Sequence, residues 1–237
     1  MAYSVAKRTE VGIRNGAYNP SYRVGSERRP EFDALRAAVG SCRGLRVLDV
    51  GCGIGQMTSA VQGASQVVGL DLASNGLRNF RAPRGARAHV VEGDATQLPF
   101  RQAFDLVVSS QLLEHLESPT ERDQCLGELK RVLEVDGRCV LTTYNWDVGR
   151  QHAGLAKEGF HPDGIYYYCY EAQELRDALA RHFTVEAVWG VGVVLPKTYR
   201  AIVALGRYRR HWDRLWWRRS PSLSYGKLLL GILRRTR

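Results

Sequence analysis

Three glycines at alternate positions, Gly51, Gly53 and Gly55, follow the apolar run at residues 45–50 in LRVLDVGCGIGQ. Glycine lets a backbone take positive φ and approach a ligand closely. Such a turn at the carboxyl end of a first parallel strand is where open α/β sheets hold nucleotides. Taken alone, the motif fits an ordinary tight strand-to-helix turn as well. The acids around it shift the balance. Asp49 stands two residues before the first glycine, Asp71 closes the run at 66–71, and Asp94 follows the run at 87–92. A carboxylate at the position of Asp71 can accept both hydroxyls of a ribose. A pyrophosphate, which would sit at the helix N-terminus, is repelled by a carboxylate such as Asp49. A cationic ligand with a free amino group is welcomed by it.

The elements that must position these residues are short apolar runs alternating with helical patterns. Residues 45–50, 66–71, 87–92, 104–110 and 137–144 read as strands, nearly continuous in apolar character. That pattern predicts a parallel sheet covered on both faces. Helices are predicted over 31–39, 55–62 and 171–182, the last with Leu175, Ala178 and Leu179 inward. Another opens at Ser118-Pro119-Thr120-Glu121, which offers an N-cap, a first-turn proline and a capping-box acid. Residues 183–189 and 227–233 read as a sixth and a seventh strand. The 237 residues suit one domain of the larger kind, and 44% hydrophobic with 24% charged is ordinary globular composition. The longest charge-free stretch, residues 50–70, carries too many polar side chains and glycines for a hydrocarbon span. The N-terminus lacks an apolar secretory region, and the five scattered cysteines form no CxxC, so a reducing, cytoplasmic setting is expected. The six histidines show no zinc-binding spacing, so no metal is expected.

LDVGCGIGQ, GLDLASNGL, VEGDATQLPF and FDLVVSSQLLEHL, in that order, resemble the consecutive motifs of class I S-adenosylmethionine-dependent methyltransferases. The resemblance is closest to the small-molecule branch that includes ubiquinone and menaquinone biosynthesis enzymes. It covers roughly residues 45–144 and continues more weakly beyond. It implies an α/β, Rossmann-like sheet of seven mostly parallel strands with helices on both faces and an antiparallel last strand. It also implies S-adenosylmethionine as cofactor, with S-adenosylhomocysteine as product. Gly51 and Gly53 would face its methionine part, and Asp49 would hold the amino group. Asp71 would take the ribose hydroxyls, with Leu72 against the adenine. Asp94 would accept the adenine amino group, with Ala95 beside it. Ser110, Gln111 and Leu112 would border the sulfonium and its methyl. The chain departs from the family by a helical insertion between strands six and seven, which divides it into a cap segment (1–44), a core (45–189), a basic amphipathic insertion (190–222) and a final strand (223–237).

Methyl transfer needs alignment more than acid–base help. A base matters where the acceptor is a hydroxyl that must lose a proton. His115, just past the fourth strand, is a candidate, with packing at a helix start as the plainer role. His152 and His161, in the loop after the fifth strand, are candidates against a role as solvated loop residues. Tyr166 and Tyr168, within IYYYCY, could wall the acceptor pocket with phenols that bond a polar substrate. They could equally be the aromatic approach to the next helix. Tyr18 and Tyr22 could close a lid over the cofactor, or belong to a mobile tail.

The positive charge is concentrated at one end. Residues 197–237 hold twelve Lys or Arg and one acid, whereas residues 1–196 hold 22 bases and 23 acids. Within 197–219, Tyr199, Ile202, Val203, Trp212, Leu215 and Trp216 recur at helical spacing, with arginines largely elsewhere. Basic amphipathic helices with Trp and Leu suit an anionic membrane surface, and less well an RNA backbone. They could also pack on the sheet with solvated arginines. The expected function is methyl transfer to a small-molecule or lipid-like acceptor, on oxygen, in the cytoplasm or peripheral to a membrane. The alternatives are an RNA or protein methyltransferase and a non-catalytic cofactor-binding protein.

Overall fold

The computed structural model describes residues 5–17, 30–193 and 221–237. Tyr18, Tyr22 and the basic segment 197–219 lie outside the described residues. The strands are β1 (Arg46–Val50), β2 (Gln66–Asp71), β3 (Arg87–Glu92), β4 (Phe104–Ser110), β5 (Leu133–Tyr144), β6 (Glu158–Phe160), β7 (Tyr166–Tyr168), β8 (Thr184–Val193) and β9 (Gly226–Arg234). The helices are α1 (Val5–Ala17), α2 (Pro30–Val39), α3 (Ser74–Arg78), α4 (Pro119–Val132), α5 (Val148–His152), α6 (Ala172–Ala180) and α7 (Pro221–Tyr225).

Seven strands form one sheet in the order β3-β2-β1-β4-β5-β9-β8. Strands β1 to β5 pair in parallel, and β9 runs antiparallel to both its neighbours. The strand order reverses between β1 and β4, and their register aligns Val50 with Leu70 on one side and Ser109 on the other. The carboxyl ends of β1, β2 and β4 therefore finish together. That crevice is where open α/β sheets take ligands.

Alternation along each strand sends side chains to two cores. Leu48, Val50, Val107 and Leu141 pack under α4 and α6, through Leu126, Leu129, Leu175 and Leu179. Val47, Val67, Leu106 and Val140 pack under α2, through Ala34, Leu35 and Val39. Helix α4 starts at the predicted cap: the Ser118 hydroxyl accepts from the Glu121 N–H, and the Glu121 carboxylate accepts from the Ser118 N–H. Strand β3, at the sheet edge, is largely exposed rather than buried.

Three local readings differ from the sequence expectations. The helix expected at 55–62 is a single 3-10 turn, Met57–Ala60, because positive φ at Gly51 and Gly55 lengthens the loop before it. The tyrosine run is not simply an approach to a helix: β7 pairs antiparallel with β6 as a separate hairpin. The sixth strand continues to Val193, so residues 190–193 belong to the sheet, and α7 leads into β9. Among the described residues, no helix is long and apolar enough to cross a membrane.

Candidate active site

A cavity of about 250 Å³ opens at the carboxyl ends of β1, β2 and β4. Asp49 lines it from β1, Gly51 and Gly53 from the loop that follows, and Asp71 and Leu72 from the end of β2. Asp94 and Ala95 enter from the link after β3, and Ser110, Gln111 and Leu112 from the end of β4. The structure thus brings together every residue on which the resemblance placed a cofactor, and His115 joins them.

The loop can pass this close because it carries no side chain where it touches its neighbours. A Cβ on Gly51, at φ 75°, would lie 3.1 Å from Leu112 Cβ. One on Gly55, at φ 79°, would lie 2.7 Å from the Arg81 carbonyl oxygen. Asp71 is fixed by two backbone donors: the Gly53 N–H to Oδ2 and the Ala73 N–H to Oδ1, each at 2.8 Å. A carboxylate has about four lone-pair sites, so both oxygens can still accept from a ligand. Asp94 Oδ1 accepts from the Thr96 N–H and hydroxyl, each at 2.8 Å. Asp49 is buried and accepts from the Thr58 hydroxyl. Burial pushes its carboxyl up to about 7, against the pull of that hydrogen bond, and the charge of Asp71 adds to the rise.

Across the cavity, Gln111 holds a positive φ of 54°, a strained conformation for a residue with a side chain. Its N–H donates to the Thr142 carbonyl at 2.9 Å, and Ser110 and Thr142 hydroxyls meet at 2.9 Å. His115 closes a 3-10 turn, Leu113–His115, and is buried. Its Nδ1 lies 2.8 Å from the Tyr166 carbonyl oxygen. A carbonyl only accepts, so Nδ1 carries the proton and Nε2 presents its lone pair. Burial pushes His115 down to about 3, aided by the charge of Arg14, so the ring is neutral. Tyr144 meets it edge-on at 5.7 Å, and His161 lies 5.9 Å from Tyr144 and 6.3 Å from His115.

The remaining expected residues lie apart from the cavity lining. His152 is exposed at the end of α5. His161 reaches the site through the ring of Tyr144. The Tyr166 hydroxyl donates to Glu158 at 2.9 Å, so this residue touches the site through its carbonyl rather than its ring. The Tyr168 hydroxyl bonds Glu174, and the Arg122 guanidinium sits 4.3 Å above its ring.

A cap segment was expected over 1–44, but none of the residues that α1 brings to the cavity was singled out in it. Glu10, Val11 and Arg14 line the cavity. Arg14 Nε donates to Glu10 Oε1 at 2.7 Å, and burial raises the Glu10 carboxyl while Arg14 opposes the rise. Asn15 docks the helix onto α3: its side-chain oxygen accepts from the Asn75 N–H and its carbonyl from Asn75 Nδ2, both at 2.9 Å. The only local signal was an acid and a base four residues apart.

Among the described residues the lining therefore holds four carboxyl groups, on Glu10, Asp49, Asp71 and Asp94, and one guanidinium, on Arg14. Such a site suits a cation bearing hydroxyls and an amino group better than a pyrophosphate. Among the described residues, no group of three His, Cys, Asp or Glu could hold a metal.

Comparison with known proteins agrees with this geometry. Residues 48–141 match the family described as methyltransferase domain. The tRNA U34 carboxymethyltransferase of Aeromonas hydrophila is 34% identical over 126 residues, covering 50% of this chain and 38% of the relative. The ubiquinone biosynthesis O-methyltransferase of Leptothrix cholodnii is 30% identical over 124 residues, 47% of this chain and 49% of the relative. The chain thus spans less than half the length of either relative in the matched region. Among solved structures, the 1,6-didemethyltoxoflavin-N1-methyltransferase of Burkholderia thailandensis, with bound 1,6-didemethyltoxoflavin and S-adenosylhomocysteine, superposes with a TM-score of 0.62 at 20% identity, over 100% of this chain and 93% of that one. Residues 48–141 resemble a methyltransferase domain, and the sheet built around them gives the chain the fold of the class I S-adenosylmethionine-dependent methyltransferases.

Proposed function

We propose that this chain transfers a methyl group from S-adenosylmethionine to an oxygen of a small-molecule or lipid-like acceptor. The observation that carries the reading is the acid-lined cavity at the strand ends, with Asp71 held by two backbone donors. When bound, the cofactor supplies a methyl carbon activated by its sulfonium. The chain's residues bind and orient. Asp71 accepts the ribose hydroxyls, with Leu72 against the base. Asp94 accepts the adenine amino group, with Ala95 beside it. Asp49 and the backbone of Gly51 and Gly53 hold the amino acid part. Ser110, Gln111 and Leu112 border the methyl. His115 accepts the acceptor's O–H at Nε2 and so aims the oxygen lone pair at the methyl carbon. Nε2 of His115 would take up the hydroxyl proton that methylation of the oxygen releases and pass it to solvent. A ring that titrates near 3 contributes chiefly alignment rather than proton storage.

A second reading, an RNA acceptor, is supported by the similarity to a tRNA-modifying enzyme and by the arginines of 197–219. We favour a lipid surface for that segment because Trp212, Trp216 and Trp217 accompany the charge. On that reading the protein is cytoplasmic and peripheral to the membrane.

Calorimetry with S-adenosylmethionine in the presence of a chelator tests the cofactor assignment. Saturable heat is expected. Asp71→Ala should weaken binding by about 1.5–3 kcal/mol, the worth of hydrogen bonds to a charged group. No heat at millimolar cofactor overturns the reading, and an unchanged affinity in the variant removes Asp71 from the ribose role.

A further inference from the structure

A second hollow, of about 230 Å³, lies beside the glycine loop and shares Gln56 with the first cavity. Gly55, Gln56, Ser59, Gln62, Arg81 and Arg84 line it, joined by the Ala82-Pro83 link. No carboxylate is among them. Arg81 and Arg84 are exposed, and neither has an acidic partner among the described residues. Other surface arginines are matched: Arg46 to Asp105 and Glu134, Arg131 to Glu128, and Arg234 to Glu186. The hollow is therefore a local excess of donors.

Gln56, which lines both cavities, adds a second observation. Gln56 Nε2 is buried and has no hydrogen-bond acceptor. A buried donor left unpaired is costly, and such groups call for an explanation. The Gln56 carbonyl oxygen accepts from the Ser59 hydroxyl and the Ser59 carbonyl oxygen from Gln62 Nε2, each at 3.0 Å. The two walls are also held at a fixed separation. The Arg81 N–H donates to the Ile54 carbonyl at 2.9 Å, and the absent side chain of Gly55 lets the Arg81 carbonyl approach the loop. A hollow lined by two arginines and by a glutamine with an unpaired amide donor, with no carboxylate beside them, suits the acceptor-rich surface of a phosphate group, which guanidinium forks bind in bidentate fashion.

We infer that this hollow binds the phosphate group of a small molecule, a function separate from methyl transfer and independent of it. The test is thermal unfolding of the full chain in rising inorganic phosphate, against chloride at equal ionic strength. A second series uses glycerol 3-phosphate, which carries no adenosine for the first cavity to hold. The expected result is a saturating rise in midpoint with phosphate and none with chloride. In Arg81→Gln/Arg84→Gln, both exposed positions, the half-saturating concentration should rise at least about tenfold. Saturation at lower concentration by glycerol 3-phosphate assigns the ligand to a phosphomonoester, and the reverse order assigns it to free phosphate. Equal midpoints in phosphate and chloride overturn the inference, as does an undiminished phosphate shift in the double variant. No cofactor enters this experiment, so the failure of one reading leaves the other standing.

Discussion

Glu114 is wholly buried beside the candidate active site, and neither of its carboxyl oxygens has a hydrogen-bond partner among the described residues. Burial pushes it up to about 8; Thr143 is close enough to temper the rise without closing a hydrogen bond. The sign of its effect on stability follows. A carboxyl raised in the folded state contributes fully below its unfolded value, near 4.5, and that contribution is lost as pH rises through about 8. Glu114→Gln has no such loss. The variant's advantage over the parent should therefore grow between pH 5 and pH 8, by up to about 1.4 kcal/mol per pH unit. Urea unfolding at the two pH values checks this, and a constant difference would mean that Glu114 is ionised throughout. His115, lowered in the folded state, works the other way, losing its contribution as pH falls from about 6.5 toward about 3, and it cancels between the two proteins. At this scale the acids were readable in the sequence, since Asp49, Asp71 and Asp94 each sit at a strand end fixed by an apolar run. The state of His115 was not. Its tautomer depends on the carbonyl of Tyr166, fifty-one residues away, which no local pattern reveals.

The strands were legible because each is a compact apolar run, and helix α4 because its cap box is written in consecutive residues. What escaped were elements whose stability comes from docking. Helix α1, VAKRTEVGIRNGA, contains two glycines and has no acid in its first turn. Its place is set by Asn15 on Asn75. The β6–β7 hairpin has strands of three residues, too short for alternation to show. Gly190 and Gly192 disguised the end of β8, which continues through both. The joint between the glycine loop and the segment after α3 yields a test. Gly55→Ala must carry a side chain at φ 79° and push it within 2.7 Å of a backbone oxygen. The expected cost is at least about 1–3 kcal/mol, read as a lower denaturation midpoint together with weaker cofactor binding. A midpoint within error of the parent would show that the loop re-forms without that glycine.

Over the whole molecule, charge is distributed by region rather than evenly, with twelve of the 34 basic residues in the last 41 positions. The peripheral-membrane proposal predicts co-sedimentation with anionic vesicles, weakening as salt rises, at about 1 kcal/mol per Lys or Arg near the surface. Neutral vesicles should leave the protein in solution. Replacing Trp212, Trp216 and Trp217 by Ser should abolish vesicle binding and spare cofactor binding. Equal partition to both vesicle types counts against the lipid surface, and an unfolded variant assigns the tryptophans to packing. The order of the sheet has a consequence for how the chain is made. Strand β9 is translated after all the others, yet its seat lies between β5 and β8. Until it arrives, β5 offers a row of unpaired backbone groups along an apolar strand, an invitation to foreign strands. A ribosome paused before residue 226 therefore holds a nascent protein whose crevice at the ends of β1, β2 and β4 can already assemble, while its sheet still gapes for the strand that will close it.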